Sequence, residues 1–131
     1  VMKSKASIIN VSSLAGKRGS SNNSAYVASK FGVNGLTQSL AKELGSRGIR
    51  VNALCPVLIK TTGLIEALSS KYSPANLNPD KFILEFTKSN SALGRLPEGE
   101  EVGKMCVMLA SDTASAITGQ CINVDCGVFP Q

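Results

Sequence analysis

The order of apolar patterns along the chain predicts an α/β fold with a parallel sheet. Residues 6–11 form a short β-branched run, residues 24–44 follow a helical pattern, and residues 49–54 form a second apolar run. A strand, a helix and a strand in this order form a βαβ unit, in which the two strands lie parallel in one sheet. A helical pattern from residue 97 and a third strand at about 120–125 continue the alternation.

The first helix has signals at both of its ends. Ser24 is the predicted N-cap, because its hydroxyl can accept a hydrogen bond from an N–H group of the first turn. Gly45 and Gly48 follow the last helical residue, where glycine commonly ends a helix. The strand after this helix is expected to end before Cys55 and Pro56.

Two stripes of side chains run along this helix. The small-residue face consists of Ala25, Ala28, Gly32, Gly35 and Ser39. The neighbouring arc is apolar and consists of Val33, Leu36, Leu40 and Leu44. We expect the apolar arc to cover the sheet and the small-residue face to receive a second helix, since small side chains allow two helices to approach closely. The helix is thus predicted to be buried on two sides, in a subunit interface.

Residues 62–96 differ from the framework around them and form the predicted lid segment. Two short helical patterns flank a turn that is bounded by Pro74 and Pro79. The segment is rich in large apolar side chains, namely Leu64, Ile65, Leu68, Phe82, Ile83 and Phe86. A long apolar insertion between framework elements is typical of a lid over a binding site. The alternative is an ordinary helical excursion of the fold.

Composition disfavours several classes of protein. With 43% hydrophobic and 18% charged residues, the chain is expected to fold rather than to stay disordered. No apolar run approaches the ~20 residues that span a bilayer, and residues 1–10 lack a signal-peptide pattern, so a cytoplasmic protein is the default expectation. The net charge of +5 is scattered, and the chain has no Trp and two Tyr. This pattern disfavours a nucleic-acid surface and favours a small anionic ligand.

The sequence also disfavours metal and hydrolase chemistry. Four cysteines stand at positions 55, 106, 121 and 126 without a CxxC pair, and the chain has no His. A zinc site is therefore not expected, and a Ser-His-Asp triad cannot form within this chain. The cysteines are expected to be small buried thiols, with Cys121 and Cys126 on opposite faces of the third strand.

The stretch SAYVASK at residues 24–30 places a tyrosine and a lysine four positions apart. On a helix, Tyr26 and Lys30 project from one face, one turn apart. A nearby ammonium favours the phenolate form of a tyrosine, and a phenol tuned in this way can transfer a proton near neutral pH. The alternative is a surface lysine that covers a half-buried tyrosine.

Four stretches together resemble the C-terminal half of a short-chain dehydrogenase/reductase. They are IINVSS at 8–13, YVASK at 26–30, RVNALCPVLIKT at 50–61 and LASDTASAITGQCINVDCG at 109–127. Ser13 precedes Tyr26 by 13 positions, the separation that this family commonly shows between its active-site Ser and Tyr. The resemblance implies an α/β fold that is the C-terminal portion of a Rossmann-like doubly wound parallel sheet. It also implies a single partial domain over residues 1–131, with 62–96 as the substrate-binding lid.

The resemblance gives each of three polar side chains a role. Tyr26 would be the general acid/base that protonates the substrate oxygen or accepts its proton. Ser13 would donate a hydrogen bond to the same oxygen, and strand alternation should turn Ser12, the rival hydroxyl, the other way. Lys30 would favour ionised Tyr26 and hold the ribose hydroxyls of the nicotinamide cofactor.

The segment after the second strand resembles the one that lines the nicotinamide in this family. By the resemblance, the backbone of Ile59 and the hydroxyl of Thr61 would bind the carboxamide. The full set of expected cofactor contacts is Tyr26, Lys30, Pro56, Val57, Ile59 and Thr61. Val57 stands where the family usually has Gly and is expected to crowd the ring or reshape the substrate side. Cys126 also replaces a customary Gly, and there we expect a change in local packing only.

Other cofactor determinants of the family have no counterpart in this sequence. The family's Gly-rich dinucleotide loop, its selector of ribose substituents and its Asn-Ala-Gly segment all lie upstream of the part that the chain resembles. Gly16 and Gly19 lie in a loop without the three-Gly spacing. We therefore expect a fragment that binds NAD(H) or NADP(H) poorly in isolation, and the choice between NAD and NADP stays open.

The activity implied by the resemblance is NAD- or NADP-dependent oxidoreduction between a secondary alcohol and a ketone, with a small-molecule alcohol or carbonyl as substrate. A small polyol, hydroxy acid or cyclic ketone is favoured over a 3-oxoacyl thioester, because the lid segment looks long and apolar. From another class, the alternative is a non-catalytic NAD(P)-binding scaffold or sensor that keeps the motif. The family resemblance also implies a homodimer or homotetramer through helix 24–44.

Overall fold

A three-stranded parallel sheet forms the framework of the computed structural model, which describes residues 6–75 and 77–131. The strands are β1 (Ala6–Val11), β2 (Ile49–Pro56) and β3 (Cys121–Val124). Their spatial order is β1-β2-β3, so β2 pairs with both of its neighbours. The predicted α/β fold with a parallel sheet is confirmed.

The carboxyl ends of the three strands meet at one edge of the sheet. Val11 lies opposite Leu54 in the first pair of strands, and Val124 lies opposite Pro56 in the second pair. β2 continues through Cys55 and Pro56, two residues beyond its predicted end, because both of these residues pair with β3. In open parallel α/β sheets, ligands bind outside this edge.

Helices and short 3-10 turns connect the strands. Within the described residues, the α-helices are α1 (Ser24–Leu44), α2 (Thr62–Leu68), α3 (Pro79–Asn90) and α4 (Gly99–Ala110). The 3-10 turns are Leu14–Gly16, Gly45–Arg47 and Asp112–Ala114. The N-cap of α1 is Asn23 rather than Ser24, and it makes no side-chain capping bond. Gly48 has a φ of 72° in the left-handed region, as expected for a glycine just beyond a helix.

α1 packs on the sheet through a different face from the one that the sequence predicts. Its buried residues are Asn34, Thr37 and Ala41, whereas Leu36 is 54% exposed. Asn10 of β1 donates from Nδ2 to Thr37 Oγ1 at 2.9 Å. This bond satisfies the half-buried amide of Asn10, and the face of α1 that holds Asn34, Thr37 and Ala41 covers the sheet. The prediction that Leu36 covers the sheet is wrong.

The small-residue face of α1 is exposed in this chain. A Cβ atom added at Gly32 or at Gly35 would meet no atom within 4 Å. Within this chain α1 is therefore buried on one side. That a partner subunit buries its second side stays a prediction.

The two faces of the sheet carry different helices. Successive residues of a strand point to opposite faces. Cys55 contacts α1, with 3.8 Å between its Sγ and Asn34 Oδ1, while Leu54 packs with Leu109 of α4. Helices thus lie on both faces, as in a doubly wound sheet. An apolar stripe of α4 packs against the same Leu54 and Leu109, and it consists of Val102, Met105 and Cys106.

The cysteines differ from the expectation in their burial and in the position of Cys126. All four are free thiols, with Cys55 buried and the others half-buried. Cys126 lies beyond the end of β3, so the strand alternation that predicted its direction does not apply. Its φ of 53° is left-handed, a conformation that costs a non-glycine residue roughly 1–2 kcal/mol. The departure from the customary Gly is therefore one of backbone conformation and not of packing only.

Candidate active site

The turn after β1 separates two neighbouring serines. Ser13 is the N-cap of the Leu14–Gly16 turn, and its Oγ accepts a hydrogen bond from Ala15 N at 3.1 Å. Ser12 is 4% exposed, and its Oγ donates to Lys30 O at 3.2 Å. The Ser12 hydroxyl is thus used inside the fold. Among the described residues, the Ser13 O–H has no acceptor, so it can donate to a ligand.

Gly16 sets the distance between this turn and α1. A Cβ atom at position 16 would lie 2.7 Å from Lys30 O, 2.8 Å from Asn34 Nδ2 and 2.8 Å from Ser12 Oγ. Asn34 Nδ2 donates to Gly16 O at 2.9 Å and so closes the contact from the other side. The turn that begins at Ser13 therefore sits directly on the part of α1 that carries Lys30, at a distance that only glycine permits.

α1 brings Tyr26 and Lys30 to the carboxyl edge of the sheet. Lys30 Nζ lies 5.5 Å from the centroid of the Tyr26 ring and donates to Val11 O, at the end of β1, at 3.2 Å. Tyr26 itself is 46% exposed. A lysine that merely covers a ring would leave its ammonium in water. The bond to Val11 O favours instead an ammonium that is held in place beside the phenol. Val11 lies two residues before Ser13 in the chain.

Asn34 is a site residue that the sequence analysis missed. It is 7% exposed, and its Oδ1 accepts from the Cys55 thiol while its Nδ2 binds the turn of Ser13. Burial raises the pKa of the Cys55 thiol above its usual value, so the group stays a neutral S–H donor. Asn34 follows Lys30 by four positions, and this helical spacing from Tyr26 and Lys30 is the signal that could have found it.

The segment after β2 begins inside the fold. Pro56 is buried at the end of β2, and Val57 N donates to Val124 O at 3.4 Å. The Val57 side chain packs on a group that we name the Leu14 cluster. Its buried members are Leu14, Cys55 and Val128, and the half-buried residues against them are Val57, Phe86, Cys121 and Phe129. Val57 therefore has apolar contacts within the protein, next to the turn that carries Ser13.

Ile59, Thr61 and Lys30 fit the nicotinamide riboside part of a cofactor. Within the described part of the chain, the backbone N–H and C=O of Ile59 have no hydrogen-bond partner, and a carboxamide offers both an acceptor and a donor. Thr61 Oγ1 accepts from Leu64 N at 3.2 Å as the N-cap of α2, which leaves its O–H to donate. Lys30 uses one donor on Val11 O, and its ammonium has three.

The lid segment is attached to the site through α3. Phe86 packs on the Leu14 cluster, and Lys60 forms an ion pair with Asp80, in the first turn of α3, at 2.9 Å. A cleft of about 510 Å³ lies between the segment after β2, α3 and the start of α4. The residues that line it are Ile59, Lys60, Ile83, Thr87, Leu96, Pro97, Glu98 and Gly99.

Residues 6–75 and 77–131 contain neither a cluster of metal ligands nor a membrane-spanning helix. In these ranges, no group of three or more Cys, Asp or Glu side chains is placed to hold a metal ion. The helices in the same ranges are too short or too polar to cross a membrane.

Comparison with known proteins decides the family. A family model of the short-chain dehydrogenase type, described as enoyl-(acyl carrier protein) reductase, matches residues 1–129. The chain belongs to the short-chain dehydrogenase/reductase family. It is 40% identical over 128 residues to the short-chain reductase 3-oxoacyl-(acyl-carrier-protein) reductase FabG of Thermotoga maritima, a match that covers 98% of the chain and 47% of that protein.

Solved structures of short-chain dehydrogenases share the fold of the chain. Sorbitol-6-phosphate 2-dehydrogenase SrlD from Erwinia amylovora matches with a TM-score of 0.89 at 35% identity, over 98% of the chain and 50% of that protein. Carveol dehydrogenase from Mycobacterium avium in complex with NAD matches with a TM-score of 0.85 at 30% identity, over 96% of the chain and 47% of that protein. The chain thus spans about half the length of these relatives.

Proposed function

We propose that the protein is an NAD- or NADP-dependent oxidoreductase that interconverts a secondary alcohol and a ketone. The observation that carries this proposal is the place of Lys30, whose Nζ binds Val11 O beside Ser13 and lies 5.5 Å from the Tyr26 ring. Membership in the short-chain dehydrogenase/reductase family supports it, since its members use NAD or NADP.

In the proposed mechanism, Tyr26 transfers the proton to or from the substrate oxygen. In the reducing direction its O–H gives a proton to the oxygen on which negative charge grows, and in the oxidising direction the phenolate accepts that proton. Ser13 donates its O–H to the same oxygen and orients it. The nicotinamide, when bound, supplies or accepts the hydride.

The proposed cofactor contacts lie on two elements. Lys30 and Tyr26 on α1 face the ribose side, and the two remaining N–H donors of Lys30 match its hydroxyls. The contacts on the segment after β2 are Pro56, Val57, Ile59 and Thr61. The preference between NAD and NADP stays open, since the family places its selector of ribose substituents upstream of the part matched by this chain.

Replacement of Tyr26 by Phe in the intact protein tests the mechanism. We expect turnover to fall by roughly 10²–10⁴-fold, the usual contribution of a general acid/base. Lys30→Ala should also lower turnover, whereas Lys42→Ala, an exposed lysine on the same helix, is the matched control. Absorbance near 340 nm reports cofactor turnover. A Tyr26→Phe variant whose turnover is within about 3-fold of its parent would contradict the role of Tyr26.

Cofactor binding without turnover across a broad carbonyl and alcohol panel would indicate a scaffold or sensor.

For the substrate, we propose a small polyol, hydroxy acid or cyclic ketone. It would bind under a lid formed by residues 62–96, and residues 1–131 would form a single partial domain. The contact of Phe86 with the Leu14 cluster supports the lid, and sorbitol-6-phosphate and carveol dehydrogenases are relatives with polyol and cyclic substrates in their names. The second candidate is a 3-oxoacyl thioester, which the likeness to FabG favours. The ratio of kcat/KM for a cyclic ketone and for an acetoacetyl thioester decides between them.

For the assembly, we propose a homodimer or homotetramer through α1 in a cytoplasmic protein. The exposed small-residue face supports this pairing, since two copies of one patch can pack on each other around a two-fold axis. Gly32→Leu in the intact protein should lower the mass by light scattering and the turnover together, through overpacking of roughly 1–3 kcal/mol per site. Gly103→Leu is the matched control, because Gly103 also lies on a helix with no atom within 4 Å of an added Cβ. A Gly32→Leu variant that keeps the mass and the turnover of its parent would contradict this interface.

A further inference from the structure

The loop after β3, residues 125–131, folds back over the sheet and is shaped by buried polar groups. Asp125 is 9% exposed, and its carboxylate accepts hydrogen bonds from Gly127 N at 3.0 Å and from Phe129 N at 2.8 Å. Asn123 Nδ2 donates to Phe129 O at 2.8 Å. Both backbone polar groups of Phe129 are thus bound, and the direction of its side chain is set by the fold of the loop.

The ring of Phe129 lies between the Leu14 cluster and a guanidinium. On one side it packs against the cluster that holds Leu14, which is 5% exposed and directly follows Ser13. On the other side, Arg18 Cζ lies 5.0 Å from the ring centroid. Lys17 Nζ adds a hydrogen bond of 2.8 Å to Gln131 Oε1. The loop after β3 therefore contacts residues at both ends of the Leu14–Gly16 turn.

The turn of Ser13 is held from two sides by different means. Toward α1, Gly16 and Asn34 leave no room for movement, because an added Cβ at position 16 would already clash. On the other side the contacts come from the Leu14 cluster and the loop after β3. The cluster and the ring of Phe129 resist a tilt of the turn, and the hydrogen bond from Lys17 to Gln131 adds to them. A tilt would move Ser13 Oγ, because that oxygen is tied to Ala15 N within the same turn.

We propose that Phe129 is a positioning residue, which holds the Leu14–Gly16 turn so that the Ser13 O–H points at the substrate oxygen. The inference rests on the proposed function, in which Ser13 orients that oxygen. A displacement of about 1 Å in a positioning group can lower turnover by as much as ~10²-fold. Phe129 therefore matters for the reaction, although it makes no hydrogen bond to Tyr26 or to the expected cofactor segment.

The kinetic test uses Phe129→Ala in the intact protein. We expect kcat to fall by about 10-fold because the turn loses its support. The KM for the cofactor should change by less than kcat, since Val57 is the one proposed cofactor contact that packs on the same cluster among the described residues. Phe129→Tyr keeps the ring under Arg18 and should retain the parent kcat. Ile117→Ala removes half-buried apolar packing on the opposite face of the sheet and should leave kcat unchanged. Equal losses in Phe129→Ala and Ile117→Ala would overturn the proposal.

A double-mutant cycle separates positioning from a general loss of packing. If Phe129 acts through Ser13, then Phe129→Ala should change kcat by less than about 2-fold in a Ser13→Ala background. The same 10-fold loss in both backgrounds would overturn the proposal. If Phe129→Ala does not fold, Arg18→Gln serves in its place, since it removes an exposed guanidinium and no core packing. The kcat of Arg18→Gln should fall by about 2–3-fold, and this loss should also vanish in the Ser13→Ala background.

Amide hydrogen exchange tests the contact without any turnover. Phe129→Ala should raise the exchange rates of Ala15 N–H and Gly16 N–H by about 10-fold, and Ile117→Ala should not, because exchange reports local opening. Unchanged exchange in Phe129→Ala would overturn the proposal whether or not the protein is active. Faster exchange in a protein that shows no NAD(P)-dependent turnover would leave the support of the turn in place and remove the proposed function.

Discussion

The two faces of the sheet are built by different interactions. On the α1 face, hydrogen bonds join the helix to the strands and turns beneath it, as between Asn10 and Thr37 and between Asn34 and Gly16. On the α4 face, the fully buried Leu54 and Leu109 form an apolar cluster, and Ser7 of β1 adds a hydrogen bond of 3.1 Å to Leu109 O. Yet both helices cover the same central strand, β2.

This difference follows from what each face has to do. Hydrogen bonds are directional and fail when a group moves by a fraction of an ångström, so they hold a side chain in one place. Apolar burial stabilises the fold in proportion to area and has no preferred direction. The α1 face carries Ser13, Tyr26 and Lys30, whose relative positions matter for the proposed reaction, although it also buries Cys55 and Leu14. The α4 face carries none of these three residues and contains the cluster around Leu54 and Leu109.

Leu109→Ala should have the largest effect on stability and little effect on the reaction. Leu109 is 0% exposed, and loss of such a side chain from a core costs about 2–5 kcal/mol of unfolding free energy. Urea unfolding of the intact protein measures this loss, and turnover below the transition should stay within about 2-fold. Val107→Ala is the control on the same helix, since Val107 is 70% exposed and its loss should stay within about 0.5 kcal/mol. A large fall in turnover would erase the distinction between the two faces.

Gly16→Ala should affect stability less, and the reaction more, than Leu109→Ala. The added Cβ would lie 2.7 Å from Lys30 O, so the turn of Ser13 has to move away from α1 at a cost of roughly 1–3 kcal/mol. We expect turnover to fall by about 10–100-fold, since both Ser13 and Lys30 are displaced. Gly19→Ala in the same loop meets no atom within 4 Å and is the matched control in both assays. Gly16→Ala with full turnover would show that the close approach does not serve the site.

Thr37→Val should weaken the α1 face without a clash. The two side chains have the same shape, but valine leaves Asn10 Nδ2 without its acceptor at a site where Thr37 is 0% exposed. We expect a loss of roughly 0.5–1.5 kcal/mol in unfolding free energy, the net contribution of a typical hydrogen bond, because the amide of Asn10 is half-buried. Thr113→Val at an exposed position is the control and should be nearly neutral. If Thr37→Val were neutral as well, the polar contacts of this face would not contribute to its stability.

The smallest effect is expected at the exposed start of α4, as a change in pH dependence. Arg95 donates to both carboxylate oxygens of Glu101, at 2.8 and 2.7 Å, and this pairing lowers the pKa of Glu101 to about 2. A carboxylate with a lowered pKa stabilises the fold above its unfolded pKa, near ~4.3, and this contribution is lost as the pH falls toward 2. Glu101→Gln should therefore flatten the unfolding free energy between about pH 4.5 and pH 2.

Arg95→Gln provides the cross-check for this pair. It removes the same hydrogen bonds from the other side, so it should flatten the same part of the profile, and the double variant should behave like either single one. Additive effects of the two substitutions would show that the pair is not the origin of the pH dependence. Turnover of Glu101→Gln near neutral pH should not change, because Glu101 lies outside the proposed lid and the hydrogen-bond partners of its side chain are Arg95 and Glu98 N.

Most of the framework could be predicted because it is encoded in local patterns. Helical periodicity and the two glycines after Leu44 placed α1 correctly, and the helical pattern from residue 97 placed α4. The ends of elements were less predictable. β2 runs on through Pro56 because β3, which lies far along the chain, offers it a partner.

The candidate site was predictable where one helix carries it. Helix pitch alone puts Tyr26 and Lys30 on one face, and Lys30 Nζ indeed lies over the Tyr26 ring. Their roles, like that of Ser13, stay predictions until the variants are measured. The role of Gly16 as a close contact could not be found from the sequence, since the atoms that it meets belong to α1.

The sequence by itself determined the order and type of the elements and the neighbourhood of Tyr26 and Lys30, because these depend on residues close together in the chain. Only the tertiary structure decided which side of α1 meets the sheet. The apolar Leu36 would cover it on hydrophobicity alone, but the sheet presents the half-buried amide of Asn10, which Thr37 satisfies and a leucine would not. Likewise, only the folded loop after β3 brings Phe129 to the turn of Ser13, since no local pattern records a contact between residues more than a hundred positions apart.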